Sequence, residues 1–195
     1  PANNQVSEMP NTNFLSGHFL IAMPGLDDSY FGNSLVYVLE HNAEGAMGIV
    51  VNQPGELNLA DILEQLQPEE ACAPHCQNIK IHSGGPVQVE NGFVLHSSQY
   101  SFQHTVKSGE FALTTSRDIL FAISEYRGPD QFLIALGYAG WGAGQLDDEI
   151  KRNSWLTCPA DKSIVFDSDN AGKHNAAISS MGINPLQLSQ DVGHS

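Results

Sequence analysis

Basic residues are scarce in this sequence: 8 Lys and Arg stand against 22 Asp and Glu in 195 residues, giving a net charge of -14 at neutral pH. The cations are also dispersed, at Lys80, Lys107, Arg117, Arg127, Lys151, Arg152, Lys162 and Lys173. Phosphate backbones are held by clustered cations that release counterions, so direct nucleic-acid binding is disfavoured, and so is an anionic membrane surface. No apolar run approaches the ~20 residues that cross a bilayer, so no membrane association is expected. The first sixteen residues, PANNQVSEMPNTNFLS, have neither the basic start nor the apolar middle of a secretory signal. Cysteine is rare too: three residues, an odd number, fit a reducing compartment better than a disulfide framework. Together these absences point to a cytoplasmic protein.

Complete catalytic signatures are also missing. Aligning the dinucleotide fingerprint on Gly140 and Gly142 requires a glycine at position 145, which is Gln, and the lysine of a phosphate loop is absent. Ser116 has no GxSxG surroundings, and no CxxC pair accompanies Cys72 and Cys76, which are themselves separated by three residues.

What is present is the composition of a folded domain, 41% hydrophobic and 15% charged. The expected organisation is a polar leader over 1–17, one domain over 18–182 and a polar tail over 183–195. The strongest local signal is SLVYVLEHNAEGAMGIVVN, Ser34 to Asn52, two apolar runs around a hairpin turn in which Asn42 and Gly45 tolerate the unusual dihedrals. Period-two alternation puts Leu35, Tyr37, Leu39 and His41 on one face and Val36, Val38 and Glu40 on the other; both are mostly apolar, which predicts a central strand. Gly48 marks a bulge or a close backbone approach.

Around this hairpin, HFLIAM from His18 predicts a strand, and Leu26 to Gly32 a polar loop. Leu59, Ile62, Leu63 and Leu66 have helical spacing behind an Asn58 cap, with Pro68 as the stop. Glu69 to Asn78 reads as a polar loop. Strands are predicted near Ile79 to Ile81, over Gly92 to Ser97 and over Phe111 to Thr115. Ser116 is a candidate cap for a helix burying Ile119, Leu120 and Ile123. Phe132 to Leu136 predicts a buried strand feeding a glycine-rich turn, GYAGWGAGQL, and then a helix from about Leu146. A last strand over Ser163 to Phe166 and a helix from about Ala171 to Met181 complete an α+β domain with a mixed, mainly antiparallel sheet and three or four helices.

These blocks carry a family resemblance. HFLIAMPGLDDSYFGNSLVYVLEHNAEGAMGIVVNQP, GGPV followed by GFVLH, TTSRDIL, and GYAGWGAGQLDDEI followed by NSWL resemble, in order, the AlgH family, also called YqgE-like. The likeness covers almost everything from His18 to Gly182, and Gly193 and His194 also match. It implies a bent sheet closing into a partial barrel flanked by helices. It further implies a bacterial protein whose label, transcriptional regulator, is tied to no DNA-binding motif. It supplies no catalytic residues. His174 stands where relatives often have Trp, a change that bears on how the last helix docks.

Five constellations carry chemistry. In GYAGWGAGQL, Gly140, Trp141, Gly142 and Gly144 would present backbone N–H groups to an anion, or else form a tight turn pinned by Tyr138 and Trp141. In TTSRD, Ser116 and Arg117 would hold a carboxylate or phosphate at a helix start, unless Ser116 is a cap and Arg117 pairs with Asp118. Glu40, His41 and His96 are acid–base candidates, although alternation turns Glu40 and His41 apart. Cys72, His75, Cys76 and Cys158 are zinc ligand types at poor spacing, and Asp147, Asp148 and Glu149 read as solvent charges at a helix start. No cofactor and no metal is expected. The leading reading is a non-enzymatic regulatory or adaptor protein, acting through an unidentified protein or a small anionic ligand near Arg117 and the glycine-rich segment. The alternative is an enzyme acting on a small anionic substrate through His41, His96 or Ser116.

Overall fold

The computed structural model describes residues 14–24 and 31–191. Among them are ten strands: β1 (His18–Ala22), β2 (Leu35–Asn42), β3 (Gly45–Val50), β4 (Pro54–Asn58), β5 (Lys80–Ser83), β6 (Val87–Ser97), β7 (Thr105–Ser108), β8 (Phe111–Thr114), β9 (Phe132–Gly142) and β10 (Trp155–Pro159). The helices are α1 (Leu59–Leu66), α2 (Asp118–Ser124), α3 (Gln145–Lys151), α4 (Lys162–Asp167), α5 (Asn170–Ser180) and α6 (Pro185–Asp191), with a 3-10 turn over Pro74–Asn78. The strands form a bent, mainly antiparallel half-barrel in the order β10-β1-β2-β3-β9-β6-β8-β7. β5 joins β9 in parallel and carries β4 on its outer side.

The predicted hairpin sits at the centre of this sheet. Asn42 faces Gly45 across a two-residue turn; the Asn42 Oδ1 accepts from the Glu44 N–H at 2.8 Å, and Gly45 has a φ of 147°. Side chains of β1 and β2 alternate between two cores, as the apolar character of both faces requires. Phe19, Ile21, Leu35 and Tyr37 pack with Ile164, Val165 and Ile178 of α4 and α5. Leu20, Val36 and Val38 pack with Trp141, Leu146 and Trp155 on the α3 side. A third core lies under α1 and α2, from Leu59, Leu63, Ile81, Val94, Ile119 and Ile134. Gly48 permits a close approach, since a Cβ there would lie 2.6 Å from Val36.

Strict alternation fails after Val38. Val38 pairs with Gly48 but Glu40 with Met47, so Leu39 is an extra residue, a bulge that inverts the phase of the rest of β2. His41 therefore faces the α3 side, where its Nδ1 accepts from the Leu15 N–H at 3.1 Å and its Nε2 lies 3.4 Å from Asp147. Glu40 instead lines a small cavity with Tyr37, Leu39 and Met47. The predicted face sets are wrong beyond the bulge, although Glu40 and His41 still diverge.

Other local readings are corrected by tertiary context. Ser163 to Phe166 is helical, not extended: Asp161 caps α4, accepting from the Ser163 N–H at 2.9 Å, and that local bond outweighs the β-branched run. β4, β7 and β10 have no predicted counterpart, the Glu69 to Asn78 loop contains the 3-10 turn, and the tail carries α6, so six helices are present among the described residues where three or four are expected. Most of the predicted loop Leu26 to Gly32 lies outside the described residues. Besides its apolar contacts, α5 docks through polar groups: the Lys173 ammonium donates to the Val51 carbonyl and the His174 Nε2 to the Ala22 carbonyl, each at 2.8 Å.

Candidate functional site

The two halves of the predicted anion site have different structural fates. GYAGWG is not a turn but the second half of β9. Gly142, Trp141, Gly140 and Ala139 pair in register with Gly45, Ala46, Met47 and Gly48, so this backbone is committed to the β3–β9 ladder. The glycines serve a strand crossing. β9 leaves β5 at Gly137, with a φ of 77°, and a Cβ there would meet the Gly85 carbonyl oxygen at 2.3 Å. Gly85, with a φ of 155°, would in turn drive a Cβ to 2.0 Å from the Tyr138 backbone. Trp141 is 7% exposed, stacked on Phe31 and edge-on to Trp155.

Gly144, with a φ of 73°, starts α3, a helix of seven residues. Its first turn carries Asp147 and Asp148, and Gln145 Oε1 turns back to accept from the Gly142 N–H at 3.0 Å. Acidic side chains already occupy the positive end of the helix, which is electrostatically unwelcoming to a further anion.

Ser116 and Arg117 border a cleft of about 810 Å³, a volume typical of small-molecule sites, which none of Gly140, Trp141, Gly142 and Gly144 lines. Its geometry follows from two short amphipathic helices laid over one face of the sheet. α1 is fixed by a capping box: Asn58 Oδ1 accepts from the Asp61 N–H and Asp61 Oδ2 from the Asn58 N–H, both at 2.9 Å. It buries Leu59 and Leu63 while Ile62 and Leu66 remain half-buried along the cleft. α2 buries Ile119, Ala122 and Ile123 and leaves Leu120 on the cleft wall. Ile81, Val94, Ile134 and Leu136 complete the apolar lining.

One rim is a distortion in β6. Val87 pairs with Tyr138 and Gly92 with Leu136, so Gln88 to Asn91 are looped out of the ladder. Gln88 has a φ of 49°, and its Oε1 accepts from Asn91 Nδ2 at 2.7 Å. Sequence reasoning did not find this rim; the polar run QVEN inside an otherwise apolar strand is the signal that marks it.

At the opposite rim the TTSRD segment departs from the expected cap. The Ser116 hydroxyl donates to Asp118 Oδ1 at 2.5 Å and accepts from the His104 N–H at 3.0 Å, so it caps nothing. Arg117 occupies the N-cap position in helical conformation, without a side-chain capping bond. Asp118 also accepts from the Gln103 N–H at 2.8 Å. Burial pushes its carboxyl pKa up, but the Ser116 hydroxyl and the backbone N–H groups outweigh this and hold it below the usual value. The Arg117 side chain takes no part: it is exposed, and its guanidinium has no hydrogen-bond or ion-pair partner among the described residues. The expected Arg117–Asp118 pair is not made because Asp118 is already saturated.

The remaining candidates are engaged in separate hydrogen bonds. His96 is fully buried and ends a directional chain: the Phe102 N–H donates to Thr105 Oγ1 at 2.8 Å, and the Thr105 hydroxyl to Thr114 Oγ1 at 2.7 Å. The Thr114 hydroxyl then donates to His96 Nε2 at 2.7 Å and His96 Nδ1 to the Ser97 carbonyl at 2.9 Å. His41 and Ser116 share no hydrogen-bond partner with His96 or with each other. His75 stacks on Tyr126 and bonds to the Ile123 carbonyl at 3.2 Å, while Cys158 belongs to the core under α4 and α5. All three cysteines are free thiols, and among the described residues no three His, Cys, Asp or Glu groups are grouped to hold a metal.

Comparison with known proteins adds a family. The family model described as AlgH-like matches residues 19–186. A UPF0301 protein of Pseudomonas syringae pv. syringae is 53% identical over 182 residues, 93% of this chain and 96% of that protein. The UPF0301 protein AlgH of Pseudomonas aeruginosa is 50% identical over 181 residues, again 93% of this chain and 96% of its own length. The solution structure of the Pseudomonas aeruginosa AlgH protein superposes with a TM-score of 0.80 over 94% of this chain and 97% of that one. A crystal structure of a Corynebacterium diphtheriae protein, 19% identical, shares the fold with a TM-score of 0.64 over 89% of each chain. No helix among the described residues is long and apolar enough to cross a membrane.

Proposed function

This chain belongs to the AlgH-like family, and we propose that it is a non-enzymatic regulatory or adaptor protein that holds a small anionic ligand in the cleft between α1 and α2, with Arg117 as its anchor and Ser116 beside it. The observation that carries the reading is the state of Arg117. In a chain of net charge -14, this guanidinium has no carboxylate partner among the described residues and stands at the mouth of an apolar cleft. An arginine presents five donors in a fixed fork suited to carboxylate or phosphate oxygens. The looped-out Gln88 to Asn91 rim lies beside the same cleft, where a partner protein would read its occupancy.

The absence of catalysis in this reading rests on the separate bonding of His41, His96 and Ser116, since an acid–base pair must reach one atom. We place the protein in the cytoplasm; three free thiols accord with a reducing compartment.

The test uses 8-anilinonaphthalene-1-sulfonate, a singly charged anion with an apolar body, titrated into the isotope-labelled full chain. Resonances of Ser116, Arg117 and Gln88 to Gly92 should shift, and Arg117→Ala should lose the response while keeping the wild-type far-ultraviolet spectrum. Shifts confined elsewhere, or surviving Arg117→Ala, would place the site wrongly.

A further inference from the structure

Resting on that reading of the cleft, the geometry points to a ligand class: we propose that the site takes an amphipathic monocarboxylate, a single carboxylate on Arg117 with an unbranched acyl or aryl body along α1 and α2. Charge decides the head group. Arg117 is the one cation among the residues lining the cleft, and Glu90 lines it as well. A phosphate monoester carries nearly two charges at neutral pH and a nucleotide carries more; one guanidinium leaves most of that uncompensated, next to a carboxylate and within a protein of net charge -14. A carboxylate carries one charge, and its two oxygens match the guanidinium fork.

The apolar lining decides the body. Ile62, Leu66 and Leu120 are half-buried, so their exposed surface is available to a guest, and the volume of about 810 Å³ is far more than a bare acetate needs. Gln65, Gln88 and Asn91 add neutral amides, which tolerate an aliphatic chain without adding charge. Each methylene transferred from water to such a lining is worth roughly a fourfold gain in affinity. Affinity should therefore climb with chain length, which head-group binding alone does not predict.

The experiment titrates acetate, butyrate, octanoate, 1-octanol, octyl phosphate and ATP into the full chain, by calorimetry and by the shift of the Arg117 resonances. Octanoate should bind at least ~10-fold tighter than butyrate or 1-octanol, and ATP should bind more weakly than octanoate. Arg117→Ala should cost octanoate ~10-fold or more and leave 1-octanol unchanged, whereas Ile62→Ser should flatten the chain-length series without removing the Arg117 dependence. Tighter binding of octyl phosphate or ATP, or no gain from acetate to octanoate, overturns the monocarboxylate class while the Arg117 site stands. A short peptide that outcompetes octanoate only when its C-terminal carboxylate is free overturns it in favour of a protein chain end. If neither these ligands nor the naphthalene sulfonate moves the Arg117 resonances, the site itself falls.

Discussion

The Thr114 hydroxyl donates to His96 Nε2 across 2.7 Å, and this bond fixes the tautomer of a histidine with no solvent exposure. With Nδ1–H given to the Ser97 carbonyl, Nε2 of the neutral ring is left to accept from Thr114. Burial holds its pKa below 6.5, partly countered by the bond to Ser97.

The sign of the resulting pH dependence is fixed. As pH falls below about 6.5 the unfolded chain takes up more protons at His96 than the folded one, so stability is full above that pH and declines below it. His82, also lowered by burial and by Lys173, acts in the same direction. The carboxylates Asp118 and Asp161, whose folded pKa values are depressed, hold their contribution until pH falls to about 4 or below. Urea unfolding midpoints should therefore drop between pH 7.5 and 5, and the drop should shrink in His96→Asn. Thr114→Val leaves Nε2 without its donor and should cost about 1–3 kcal/mol at pH 7.5. An unchanged midpoint down to pH 5 would remove the account.

Lys173 predicts the opposite end of the pH range. It is 3% exposed, and burial lowers its pKa from 10.5 to about 8, against a smaller opposing pull from Asp169. Between those values the unfolded chain holds more protons, so this group makes stability rise with pH. The buried thiol of Cys158, with its pKa raised, works the other way above pH 9, so the quantity to measure is the difference between wild type and Lys173→Met. That difference should favour wild type progressively from pH 8 to 10, by an amount on the order of 2 kcal/mol in total. A constant difference across this range rules the assignment out.

Glycine and tryptophan substitutions separate scaffold from cleft. Gly85→Ala and Gly137→Ala each combine a positive φ with a Cβ at 2.0–2.3 Å from facing backbone, and should destabilise by more than ~3 kcal/mol or prevent folding. Gly92→Ala, with nothing within 4 Å, should stay within ~1 kcal/mol of wild type. Trp141→Ala opens a hole beside Phe31, Trp155 and Leu146 and should cost about 3–5 kcal/mol, while the exposed Arg117→Ala should change stability by less than ~0.5 kcal/mol. Calorimetric unfolding of the five variants checks all of these; a Gly137→Ala protein as stable as wild type would remove the role assigned to the crossing.

The sequence by itself determined whatever depends on neighbours a few residues apart. The Asn42–Gly45 turn, the Asn58 cap of α1 and the helical spacing of Leu59, Ile62, Leu63 and Leu66 are short-range chemistry, and all are present as read. The apolar character of both faces of β2 likewise marked a central strand before its partners were known.

Tertiary structure decided what depends on partners far along the chain. GYAGWG has the composition of a loop, but β3 on one flank and the Gly84–Gly85 approach at Gly137 turn it into strand, because only glycine lets two backbones come so close. Leu39 looks regular in sequence, and only the register against β3 reveals the bulge that sends His41 to the α3 side. Arg117 was visible from the start as a cation before a helix. Its lack of a partner was not, because that depends on Gln103 and Ser116 having already claimed Asp118.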